Sequence, residues 1–183
     1  MKNRMVLLLV AVILIFAISG CTAQADVSSG VAPDREEKIH YDIVAENIHH
    51  VNISGNARSI IIRQGENEYF EFYNGDWDTN HIYEVCCEEN GDTIDIDILM
   101  GNTEDDNDVL GSLIIDIPQK EFEKIEISGN FKQVSLDTIN SDVLIHANDS
   151  LVNINLEADC LNHNITLDGS ELDTFRRVSV YFD

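Results

Sequence analysis

The chain has 183 residues, with 34 Asp and Glu against 11 Lys and Arg, for a formal charge of −23. Such a surface repels phosphate backbones and anionic headgroups, so nucleic-acid binding is set aside. The length suits one domain with a substantial core. The acidity reads first as solubility and repulsion from an anionic envelope.

Lys2 and Arg4 form a short basic start, and Val6 to Ile18 is an unbroken apolar run. That run falls short of the roughly 20 residues of a membrane span and has the make-up of a secretory h-region. It ends in Ile18-Ser19-Gly20-Cys21, which resembles the lipobox of bacterial lipoprotein precursors. The resemblance implies a signal peptide over 1–20 and a diacylated Cys21 as the first mature residue. It also implies the membrane, through that lipid, as one partner. Two acyl chains suffice for stable anchoring where one does not. Losing Lys2 and Arg4 with the signal takes the formal charge from −23 to −25. Residues 21–37 are small and polar, too poor in apolar surface to offset their ordering entropy, and are expected to be a flexible tether. Anchor, tether and body together describe an extracytoplasmic protein at the cell surface.

The remaining residues, 38–183, read as a single all-β domain. Ile39, Tyr41 and Ile43 alternate, followed by Ile48, Val51 and Ile53, by Ile60 and Ile62, and by Tyr69 to Phe72. Asn90-Gly91 separates two alternating runs and predicts an antiparallel hairpin of strands at about 81–88 and 92–99. Further on, short apolar pairs begin at Ile125, Val134, Val143, Val152, Ile165 and Val178, in steps of 9, 9, 9, 13 and 13. Asn, Asp, Ser and Gly fill the intervals, as quick polar corners require. Very short strands at a near-constant step suit a β-solenoid, or β-helix-like ladder, in which each strand stacks on the neighbouring turn. A β-sandwich is the alternative.

Ile53-Ser54-Gly55-Asn56 recurs as Ile127-Ser128-Gly129-Asn130. The same offset of 74 places Val51 on Ile125, Ile60 on Val134 and Ile62 on Leu136. The isoleucine is expected to point inward and the serine outward, and the glycine to turn a corner at positive φ. The phrase supplies no general base and no metal ligands. The stretch LGSLIIDIPQKEFEKIEISGNFKQVSLDTINSDVLIHA (110–147) carries an Ile-Asp-Ile-Pro strand end, a Lys-rich step and a ladder of short strands. It resembles the bacterial family named "putative adhesin", a domain of unknown function built as a repetitive β-helix and often lipidated or membrane-tethered. The resemblance covers about 40–183 and brings no catalytic residues.

The candidate sites are sparse. The acidic run 103–108 offers oxygen ligands for Ca²⁺, but without the order of an EF-hand loop, and a solvated loop is the expectation. Asp95 and Asp97 share an outward strand face about 7 Å apart, a spacing that glycoside hydrolysis also uses. A wet strand face is the plainer account, and with no hydrolase, phosphate-loop or dinucleotide motif present no catalysis is expected. His40, His49, His50, His81, His146 and His163 are scattered, and the His49 and His50 rings should diverge on an extended strand. Phe70 and Phe72 read as core, and Trp77 as a plug over a solenoid end. With Cys21 assigned to lipid, Cys86, Cys87 and Cys160 leave at least one thiol free or intermolecular. Adjacent Cys86 and Cys87 should face opposite ways, and a Cys87–Cys160 bridge stays open. No cofactor or metal is expected. The expected role is non-catalytic binding or structural support in the envelope, with a glycan or protein as partner. A polysaccharide-acting β-helical enzyme, or an accessory to an envelope-stress or transport system, is the alternative.

Overall fold

The computed structural model describes residues 27–31, 39–41, 43, 45–66, 68–75, 83–100, 112–146, 151, 153–157, 163–168 and 177–181. Cys21, Trp77, His81, Cys160 and the 103–108 run lie outside them. The described residues form an all-β, solenoid-like stack, as the period-two pattern predicts.

Strand β3 (His50–Gln64) is the long one, and it serves two sheets. Its first part pairs in parallel with β6 (Thr93–Met100) on one side and β8 (Lys124–Ile127) on the other. Beyond Gly55 it pairs in parallel with β7 (Ser112–Ile117) and β9 (Asn130–Asp137). The first sheet continues from β8 through β10 (Val143–His146) to β12 (Ile165–Asp168). The second continues from β9 through β11 (Asn153–Glu157) to β13 (Arg177–Tyr181). Successive strands from β8 to β13 therefore alternate between sheets, and each pair makes one rung. The β6–β7 rung lies on the opposite side of β3 from the β8–β9 rung, so the chain passes across the β3 rung between β7 and β8.

The remaining strands close one end in antiparallel fashion. In the first sheet β5 (Tyr83–Asn90) pairs with β6 and carries β1 (Val27–Val31) on its outer edge. In the second, β4 (Phe70–Asn74) pairs with β7 and carries β2 (Ile39–Tyr41). The predicted hairpin is therefore present, its first strand shifted two residues along and its second by one. Asn90 and Thr93 pair, leaving Gly91-Asp92 as the loop, and Gly91 takes φ 70° at the first loop position, where a type II′ hairpin wants glycine. Strand β1 departs from the expected tether. Composition measures what side chains bury, whereas β1 is held by backbone pairing with β5, which a small polar segment satisfies as well as any other.

Inside, the alternating residues form columns that run from rung to rung. Ile94 and Ile96, Val51 and Ile53, Ile125 and Ile127, and Val143 and Ile145 stack on the first sheet's inner face, all 2 % exposed or less. Phe72, Ile115, Ile62, Leu136 and Leu156 stack on the second. Tyr41 meets Phe72 edge-on at 5.4 Å, and Phe70 lies 6.2 Å from Phe122. Burying each aliphatic side chain contributes about 1.5–3 kcal/mol. At the far end Ile165 and Leu167 are only partly buried, and Val178, opposite Ile154 in register, is 50 % exposed. Among the described residues nothing stacks beyond that rung.

The repeated phrase is where the rungs turn. Its offset of 74 is the pairing register itself: Val51 faces Ile125, Ile53 faces Ile127, Asn56 faces Asn130 and Ile60 faces Val134. Gly55 and Gly129 hold φ of 116° and 128°. A Cβ on Gly129 would stand 2.3 Å from the Gly55 carbonyl oxygen, and one on Gly55 would stand 2.0 Å from that of Ile98. The corner thus demands glycine twice over, by backbone angle and by contact with the rung beneath. Gly129→Ala is expected to destabilise by about 2–4 kcal/mol, read as a lowered urea midpoint. Gly91→Ala has a similar φ sign but open space around its Cβ, and should cost only about 1–2 kcal/mol.

Candidate functional site

The outer face of the first sheet carries an array of ionisable groups. Strand alternation turns Asp95 and Asp97 of β6, Asn52 and Ser54 of β3, Glu126 of β8, His146 of β10 and Asp168 of β12 outward. Asn52 Nδ2 donates to Asp95 Oδ1 at 2.7 Å, and Asn90 Nδ2 to Asp95 Oδ2 at 2.8 Å. Ser54 Oγ donates to Asp97 Oδ1 at 3.1 Å. The two aspartates of interest are thus placed outward as expected, with Asp95 engaged through both oxygens by neighbouring strands. Farther along, Glu126 lies between Lys124 and His146, with His146 Nε2 at 2.6 Å and the other ring nitrogen 3.7 Å from Asp168. Hydrogen bonding from Lys124 first, and from His146 second, holds the Glu126 carboxyl below its ordinary value. At the next corner Asp142 accepts from both the backbone and side chain of Asn164, and these bonds lower its pKa in turn.

The two adjacent histidines do not both lie on an extended strand, the condition under which their rings would diverge. His49 Nδ1 lies 3.4 Å and His50 Nε2 3.7 Å from opposite oxygens of Glu123, so the rings flank one carboxylate. The backbone explains it. Both amides donate to the Asp92 carbonyl, at 2.6 and 3.1 Å, which an extended strand with alternating amides cannot do, and β3 begins only at His50. Among the described residues no group of three or more His, Cys, Asp or Glu is placed to hold a metal ion.

The outer face of the second sheet holds an ion pair that hydropathy patterning misses. Arg63 of β3 bonds to both carboxylate oxygens of Asp116 on β7 and to the Tyr73 hydroxyl of β4, and its guanidinium lies 5.4 Å from the Tyr73 ring centre. Asp116 is nearly fully buried, so its pairing is what makes its charge tolerable. Tyr73 and Ile114 are buried on this same outer face, against the expectation that alternate residues are wet. Only the register Glu71–Asp116–Arg63 brings the pair together, and no local motif encodes it.

The Lys-rich step after Pro118 is a clasp. Lys120 Nζ donates to the carbonyls of Ala45, Glu46 and Ile48 at 2.9, 3.2 and 2.6 Å, around the 3₁₀ turn Ala45–Asn47, and lies over the Phe122 ring. Gln64, at the end of β3, donates to the carbonyls of Pro118 and Lys120 and accepts from the Asn140 amide at 2.7 Å. Pro118 to Phe122 therefore lock the chain where it passes the β3 rung. Cys86 and Cys87 are free and face opposite ways, Cys86 half-buried and Cys87 buried. Burial, with Cys86 nearby, pushes the Cys87 thiol far up and keeps it protonated, so Cys87 acts as a small hydrophobe. Tyr41, donating to the Val85 carbonyl at 3.0 Å, is likewise pushed up to about 12, by burial first and by the two cysteines next.

No family model matches the chain, and neither does any curated protein sequence. One solved structure is similar: a "putative cell adhesion protein" from Clostridium sporogenes, at 13 % identity over 73 % of this chain and 68 % of that one, with a TM-score of 0.28.

Two outcomes follow from these contacts. Because the folded pKa of Glu126 is depressed, its contribution is complete above the ordinary value of 4.5 and is lost as pH falls through the lower folded value. Glu126→Gln should change stability by less than about 1 kcal/mol at neutral pH and should flatten the acid side of the urea-midpoint profile. Lys120→Met removes the charged donor shared by three carbonyls, of which that of Ala45 keeps the Ile48 amide, and should lose about 1–3 kcal/mol, read in the same assay.

Proposed function

We propose that this is a non-catalytic surface lipoprotein. Cys21 carries the lipid, and the β-solenoid binds or braces an envelope partner, either glycan or protein. The observation that supports a binding or structural role is how the outward carboxylates are used. A hydrolytic pair needs one carboxyl kept protonated by apolar surroundings and a second facing the same bond. Asp95 and Asp97 instead sit on a wet face and accept hydrogen bonds from Asn52, Asn90 and Ser54. Glu126, Asp142 and Asp168 continue this arrangement along the stack, each beside a neutral or weakly basic neighbour on an adjacent strand or corner. Carboxylates distributed in this way describe a solvated display face rather than a reaction centre. The resemblance of 110–147 to an adhesin-like β-helical family points the same way.

The test is a binding screen of the domain 38–183 and of the full chain against envelope glycans and envelope extract, with and without Ca²⁺. The expected result is saturable binding to one envelope component without turnover. Saturable turnover of any glycan would sink the non-enzymatic reading. Incorporation of a palmitate analogue should be lost in Cys21→Ala, and unchanged labelling would refute the anchor.

A further inference from the structure

We infer that the lipid anchor holds the β1–β5 edge of the solenoid next to the membrane, so that the rungs rise away from the bilayer and the β12–β13 rung is displayed outward. This rests on the reading of Cys21 as the lipidated residue.

Chain length sets how far the anchor reaches. Strand β1 begins at Val27, paired with Glu88 of β5. Only residues 22–26 separate it from Cys21. A fully extended chain of that length spans about 20 Å at most, whereas an unpaired tether through residue 37 would reach well over twice as far. Pairing of β1 therefore turns a long leash into a short one, and the strand it fastens is the outermost of the first sheet. From β1 the order runs β5, β6, β3, β8, β10, β12. At a strand spacing of about 4.8 Å the six steps carry β12 roughly 29 Å from β1.

Charge decides whether the stack stands or lies down. The first sheet's outer face presents Glu84, Asp95, Asp97, Glu126 and Asp168, and the mature chain carries 9 basic residues against 34 acidic ones. Laying that face on anionic headgroups is repulsive within a Debye length of about 8 Å. Contact through the narrow β1–β5 edge brings only the acidic residues of β5, such as Glu84, near the headgroups instead of the whole face, and it leaves the half-open rung with exposed Val178 as the most distal surface.

Two measurements test the inference. Ser29 and Cys86 are opposite each other in register, so Ser29→Cys should form an intramolecular disulfide with Cys86 on mild oxidation, and Cys86→Ser should abolish it. A folded chain that fails to cross-link overturns the proposal. Second, the lipidated full chain is placed in phosphatidylcholine–phosphatidylglycerol vesicles that carry a headgroup acceptor dye. A donor is attached at Asn90→Cys or at Thr166→Cys, with Cys86 and Cys160 replaced by Ser. Transfer from position 90 should exceed that from position 166 by about twofold or more, as the strand spacings between the two ends imply. A long Gly/Ser spacer between Asp26 and Val27 should remove the difference. Equal or reversed transfer in a chain that incorporates palmitate overturns the orientation alone. Absence of palmitate incorporation removes the anchor and the orientation with it.

Discussion

Everything in this molecule is arranged around the bend of one strand. At Gly55, β3 leaves the first sheet and enters the second, and its two neighbours stack against that bend through backbone. Gly129 sits on the Gly55 carbonyl, and Gly55 sits on Ile98. Rungs at strand spacing leave no room for a Cβ at a corner where the chain also needs positive φ. Once the corners coincide, the inward residues of successive rungs fall into columns, and each rung as far as β10–β11 buries at least two aliphatic side chains per strand. Stability then accumulates rung by rung, as in repeat proteins generally.

A core of this kind leaves the outer faces free, and the composition shows in how they are furnished. With 34 acidic residues and 11 basic ones, ion pairing cannot satisfy the carboxylates. Amides, hydroxyls and imidazoles serve many of them instead, reaching from one strand or corner to the next, while Lys124 pairs with Glu126 within β8. Two of the scarce cations hold chain to chain: Arg63 joins the strands of the second sheet, and Lys120 clasps the turn before β3. Isolated exposed pairs contribute little, so these two partly buried contacts carry more weight than their number suggests.

Much of this was legible in the residues. Period-two apolar pairs at a near-constant step carried the ladder, Asn90-Gly91 the hairpin, and the twin Ile-Ser-Gly-Asn phrase the register, because side-chain alternation and turn chemistry are local. Partner choice is not local. Nothing in Phe70 to Asn74 says that this strand pairs antiparallel with β7, and nothing in the Asn90-Gly91 hairpin says that it closes one end of the stack. Nothing in Arg63 says that it will meet Asp116, and the small polar segment at Val27 gives no hint that it will pair with β5. The rings of His49 and His50 show a related limit, since they diverge only on an extended backbone and β3 begins at His50.

The stacked corners require β3 and β8 to lie side by side at the offset of 74. In that register the Ser128 amide donates to the Ile53 carbonyl at 2.8 Å. A scalar coupling across that hydrogen bond, between the Ser128 amide nitrogen and the Ile53 carbonyl carbon, can be measured by NMR on the deuterated, isotope-labelled domain. The stacked-corner architecture predicts that the coupling is present. Its absence in the folded domain, or a coupling from Ser128 to a different carbonyl, would contradict it.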